Sequence, residues 1–203
     1  MHGLINRAVQ CFVRDIYGPQ AWAELAASVG VGIEGFEAML VYEDKVTEQL
    51  VSDLARLRGR PASDILEDLG TYLVTHENTR AIRRLLRFGG ETFLEFLYSL
   101  DDLPDRARLA VPELDLPQLR LSELEPGRYI LHASSHHIGF GAVLVGILRA
   151  LADDYGTLAL LELTGEHPHE ELLAIELLDA DFAEGNSFTL GSGLASFSQE
   201  GAA

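Results

Sequence analysis

Apolar residues recur every three to four positions through the first half of the chain. Ile5, Val9, Phe12, Val13 and Ile16 share one helical stripe, which Gly18-Pro19 closes. Ala21 to Ser28 reads as a short helix stopped by Gly30-Val31-Gly32. A further helical pattern runs from Tyr42 to Arg58 and halts at Gly59-Arg60-Pro61. Ser63 stands where it could cap the next, Asp64 to Thr75, with Glu67 in its first turns and an apolar side of Ile65, Leu66, Leu69, Leu73 and Val74. Thr79 to Phe88 precedes a Gly89-Gly90 break. Glu91 to Asp102 then sets Phe93, Phe96, Leu97, Leu100 and Leu103 toward one side, and this spacing predicts core. Proline disfavours helical geometry in the residue before it. The helix therefore ends or kinks at Leu103, or Pro104 opens a new turn as a first helical residue.

The second half changes period. Pro112, Pro117 and Pro126 punctuate a stretch that cannot be one regular element. Arg128 to Ala133 reads as a strand, and Gly141 to Tyr155 as a strongly apolar helix ending at Gly156. Thr157 to Leu163 and Leu172 to Leu178 read as two more strands, with Gly165 to His169 as a polar turn between them. Gly191 to Ala203, rich in Ser, Gly and Ala, reads as a loose tail. Helices followed by this mixture predict an α+β fold. A helical N-terminal subdomain packs on a C-terminal subdomain with a mostly antiparallel sheet and a long helix.

Charge narrows the partners. The 203 residues carry a formal net charge of -17, which opposes binding to nucleic acid or to anionic membrane surfaces. No apolar run is long enough to span a membrane. The opening Met1-His2-Gly3-Leu4-Ile5-Asn6-Arg7 turns polar too soon for a signal peptide, which predicts a cytoplasmic location. Cys11 lies in a helical pattern and is expected as a buried core thiol. Arg80, Arg83, Arg84 and Arg87 share a helix face, expected to be solvated opposite Ile82, Leu85 and Leu86. The other reading of that face is a docking stripe for an acidic partner.

Several segments, in order, resemble the haem-nitric oxide/oxygen binding (H-NOX) family over about residues 1–180. They are Met1-His2-Gly3-Leu4-Ile5, Asp15-Ile16-Tyr17-Gly18, Phe88 to Phe93, Pro112 to Pro117, Phe140 to Arg149 and Tyr155-Gly156. Leu97 to Leu109 is similar to the family's signature helix, and there Pro104 stands in place of the histidine that ligates haem iron. Proline has no donor atom to offer. Ala133-Ser134-Ser135-His136-His137 occupies the family's Tyr-x-Ser-x-Arg motif for the haem propionates, so Ser135 matches while Ala133 and His137 replace tyrosine and arginine. Histidine cannot copy arginine's two-pronged grip on a carboxylate. Ile5 matches a distal apolar residue, and Pro117 the proline that presses on the porphyrin.

The resemblance implies one domain over 1–185, with a helical part at 1–60, a ligand-pocket part with the sheet at 61–185 and a tail at 186–203. It implies haem b as cofactor, nitric oxide sensing and a signalling partner of the histidine kinase, cyclic-nucleotide or diguanylate cyclase type. The alternative on the same fold is a haem-free module that binds an apolar ligand or a protein. The residues offer other histidines, His76, His132, His136 and His137, as substitute iron ligands. His167 and His169 with Glu166, Glu170 and Glu171 read as a solvated turn, or less readily as a surface metal site. Nucleophile elbow, phosphate-binding glycine loop and zinc motif are absent, so no catalysis is expected.

Overall fold

Helix α1 spans Gly3–Ser28, but Gly18 breaks it with φ 87° and ψ 166°. Glycine takes this geometry without a Cβ clash, and Pro19 restarts the helix without needing an N–H bond. The computed structural model describes residues 1–167 and 169–186. Helix α2 (Asp44–Arg58) ends on Gly59 in the left-handed conformation, as the sequence predicts. Helix α3 (Ala62–Thr75) starts earlier than predicted: Pro61 is its N-cap and Ser63 makes no capping bond. Helix α4 spans Arg80–Arg87 and α5 spans Phe93–Tyr98. Thr92 and Glu95 close a reciprocal capping box at the start of α5. A 3₁₀ turn at Ser99–Asp102 leads into α6 (Leu103–Ala110). Pro104 sits in the first turn of α6, where the missing N–H leaves no bond unmade.

Strand β1 (Gln118–Glu125) was not legible as an element. The prolines at 117 and 126 bracket it rather than interrupt it. It is an edge strand with only Leu119 fully buried, so its alternation is faint. Strand β2 (Arg128–Ser134) follows a two-residue turn with Gly127 at φ 80°. Helix α7 (Phe140–Tyr155) crosses to β3 (Leu158–His167), and β4 (Glu170–Asp179) returns. The sheet order is β1-β2-β4-β3, antiparallel throughout. The predicted polar turn is mostly strand: pairing runs on to His167↔Glu170. The predicted tail at Gly191–Ala203 lies outside the described residues.

Two apolar cores result. Phe12, Trp22, Phe36, Leu50, Leu54 and Ile65 head the helical one. Phe93, Phe96, Leu100, Leu131, Leu148 and Leu173 head the other, between α5, the sheet and α7. Helix α3 serves both, giving Leu69 and Tyr72 to the first and Val74 to the second. It meets α7 backbone to backbone. A Cβ on Gly70 would strike the Val143 carbonyl, and one on Gly146 would strike the Glu67 carbonyl. Arg149 and Glu67 pair beside this crossing.

On α4 the expectation holds for Arg80 and Arg84, which are exposed, and for Leu86, which is buried, and is corrected for the other two arginines. Arg83 and Arg87 turn inward to the buried Asp154 of α7, Arg83 with contacts of 2.5 and 3.1 Å and Arg87 at 3.6 Å. Ile82, Leu85 and Phe88 are the exposed side. A buried carboxylate outcompetes the apolar pattern, because an uncompensated buried charge costs more than a few exposed methyl groups.

Candidate functional site

A cavity of about 620 Å³ lies on the seam between the helical core and the start of α7. Its floor is apolar and buried: Val9 of α1, Ala55 of α2, Leu69 of α3 and Ala142 of α7. The periodic stripes of α1 and α2 put these residues inward. The bend from β2 into α7, residues 136–139, closes one side. The volume lies in the range of small-molecule sites. The rim is mostly polar, with Asp44, Glu48, Ser52, Ser63 and His136 all exposed and the exposed Ile138 beside them. Among the described residues neither arginine nor lysine lines the cavity.

Charges at the rim are arranged around His137. Its Nδ1 lies 3.6 Å from Asp44 and its Nε2 3.7 Å from Asp115. The Met1 ammonium donates to Asp44 at 2.5 Å and to the Tyr42 carbonyl at 2.8 Å. The bond from that ammonium holds the Asp44 carboxyl below the usual range. Glu171 reaches from β4 to accept from the backbone N–H of Gly139 at 3.2 Å and of Gly141 at 3.0 Å. These amides begin α7, where a helix offers unpaired donors and a partial positive charge. The anion position of that helix is thus filled by the chain's own carboxylate. Glu171 is therefore not part of a solvated turn, as expected, but 5% exposed.

The residues singled out by sequence divide. Ile5 and His137 line the same cavity. Ser135 lines a smaller one of about 390 Å³ beside it, shared with His137, His167 and His169, and its hydroxyl accepts from the His137 N–H at 3.0 Å. Pro104 and Pro117 are buried and line neither cavity. Of the other histidines, His132 faces Glu170 at 3.1 Å and His76 faces Asp15 at 3.6 Å, both away from the larger cavity. Among the described residues no three His, Cys, Asp or Glu side chains gather closely enough to hold a metal ion. Cys11 is half-buried rather than buried, and burial raises its thiol pKa, which leaves it a poor thiolate. Sequence reading missed Asp44 and Asp115 as site residues, and it placed Glu171 in a polar turn rather than at the α7 N-terminus. They come from segments distant in the chain, and nothing local marks them.

Comparison with known proteins places this geometry in context. The profile of the Haem-NO-binding family matches residues 2–162. Soluble guanylate cyclase gcy-31 of Caenorhabditis elegans is 24% identical over 154 residues, 76% of this chain and 22% of that protein. Soluble guanylate cyclase 89Db of Drosophila melanogaster is 21% identical over 155 residues, 76% of this chain and 23% of that protein. The chain therefore spans less than a quarter of the length of these relatives. Among solved structures, an H-NOX protein from S. oneidensis superposes with a TM-score of 0.76 at 19% identity, covering 89% of this chain and 97% of that one. An oxygen-binding H-NOX domain related to soluble guanylate cyclases superposes at 0.70 and 16% identity, covering 92% of this chain and all of that one.

Proposed function

The chain belongs to the Haem-NO-binding, or H-NOX, family, and from that premise we propose that it is a sensory module whose signal is occupancy of the seam cavity. The observation that supports this is the cavity's position. It touches α1, α2, α3 and α7 together; its core residues are those of the helical core, and α3 and α7, which cross at Gly70 and Gly146, carry a displacement on to the other core. A ligand shifts an equilibrium only by its differential affinity for two arrangements, and the two arrangements here differ in how α7 sits on the helical core. The reader of that shift is a signalling protein of the histidine kinase or cyclase type, in keeping with the guanylate cyclases among the relatives. The module itself performs no catalysis.

Haem is the cofactor the family implies, and the residues here do not fit it. Pro104 gives no donor and does not face the cavity. The propionates would meet Asp44, Glu48 and Glu171; among the described residues no guanidinium or lysine ammonium lines the cavity, and the Met1 ammonium is already bonded to Asp44 and the Tyr42 carbonyl. His137, at the motif position of the propionate arginine, has both ring nitrogens turned to the chain's own carboxylates. The signal in this reading is therefore carried by a ligand other than haem.

The first test is an absorption spectrum of the purified protein with haem added under reducing conditions. The expected result is the broad band of loosely held haem, for this chain and for Pro104→His alike. A sharp Soret band that shifts with nitric oxide or carbon monoxide would overturn the haem-free reading. The sensory reading is tested with decanol as a neutral apolar probe. Binding should raise Tm and slow amide exchange in α3 and at the start of α7. Unchanged exchange at saturating decanol would refute it.

A further inference from the structure

We propose that the seam cavity selects an apolar molecule carrying a positive charge, an alkyl- or arylammonium, and rejects apolar carboxylates. The inference rests on the cavity being a ligand site and adds the chemistry of what enters it. A floor of Val9, Ala55, Leu69 and Ala142 takes the apolar body, because each is buried and none presents a polar side chain. The rim then sets the headgroup.

Two of the places where an anion could settle are already taken. Gly139 and Gly141, at the α7 N-terminus, give their N–H groups to Glu171. His137 lies between Asp44 and Asp115. The Met1 ammonium is spent on Asp44 and the Tyr42 carbonyl. Among the described residues an entering carboxylate would meet Asp44, Glu48 and Glu171 with no lining arginine or lysine and only the exposed His136 imidazole to offset them, and like charges brought together at a partly desolvated rim repel. An entering ammonium finds the reverse. Glu48 lines the cavity from α2, is exposed, and makes no ion pair among the described residues. It lies one helical turn from Asp44, so the two carboxylates flank the same edge of the opening. The net charge of -17 adds a long-range pull on cations and raises their local concentration at the opening.

The experiment compares three probes of equal chain length, decylammonium, decanol and decanoate. Each is titrated by calorimetry below its micelle concentration at pH 7.5 and physiological salt, where surface attraction is screened. Decylammonium should bind at least tenfold more tightly than decanoate, with decanol between them. Glu48→Gln should weaken decylammonium several-fold and leave decanol unchanged. Ser52→Trp, an exposed rim position, should narrow the opening and weaken all the probes that bind.

Decanoate binding as tightly as decylammonium overturns the proposal. Decanol and decylammonium binding equally, with no response to Glu48→Gln, overturns the charge selection and leaves the cavity reading standing. Decylammonium binding untouched by Ser52→Trp places it on the acidic surface and also overturns the proposal. Failure of every probe, decanol included, removes the cavity reading itself.

Discussion

Asp15 carries a small polar network that ties α1 to α3. The Tyr72 hydroxyl donates to its carboxylate at 2.6 Å and the Asn78 amide at 2.8 Å. The Tyr72 bond is the main cause that lowers the Asp15 pKa, and burial together with this carboxylate raises that of Tyr72. A carboxyl whose folded pKa is depressed adds stability above its unfolded value, near 4, and loses it as pH falls through the folded value. Tyr72→Phe should therefore move the Asp15 pKa upward in an NMR titration. It should cost about 1 kcal/mol at neutral pH, discounted for partial exposure, and that difference should shrink below about pH 4. No change in the Asp15 titration would show that the bond does not form in solution. None of this was legible in the sequence. Tyr72 reads there as one more position on an amphipathic helix, and its partner lies 57 residues away.

Elements were easier to read than their roles. Helices α2, α3 and α7 follow their stripes because burial and periodicity agree in them. Gly59 and Gly156 stop α2 and α7 where the pattern predicts. The errors fall where an element is polar or exposed. Strand β1 is half solvated, and the polar run Gly165 to His167 pairs with β4 although its composition suggests a turn. The α3–α7 crossing gives the sharpest test at this scale. Gly146→Ala puts a methyl group against the Glu67 carbonyl, a backbone atom that cannot swing aside. It should destabilise by about 2–3 kcal/mol in denaturant unfolding. The same change at Gly32, which has open space around it, should be near neutral. Equal effects at the two glycines would mean that the helices are not in close contact.

At the scale of the whole molecule, one buried acid joins the parts. Asp154 on α7 is 4% exposed and holds Arg83, Arg87 and the Asn186 amide. Arg87 also stacks over the Tyr155 ring at 3.7 Å. Asp154→Ala leaves two inward-facing guanidinium groups without their common carboxylate and should cost about 3–5 kcal/mol, read as a lowered denaturant midpoint. A loss under about 1 kcal/mol would place the cluster among ordinary surface pairs. The exposed Ile82, Leu85 and Phe88 follow from this cluster. With both arginines drawn in, α4 packs Leu86 into the core and leaves Ile82 and Leu85 outside.

The order of apolar and polar residues determined the α+β class, most helix limits and the family, because periodicity and local motifs are written in contiguous residues. It also determined that Pro104 cannot ligate iron, since that follows from the side chain alone. The character of the cavity was decided only by the tertiary structure. Asp44, Asp115 and Glu171 become one electrostatic surround for His137 and the α7 N-terminus through folding, and a charge acts through space rather than along the chain.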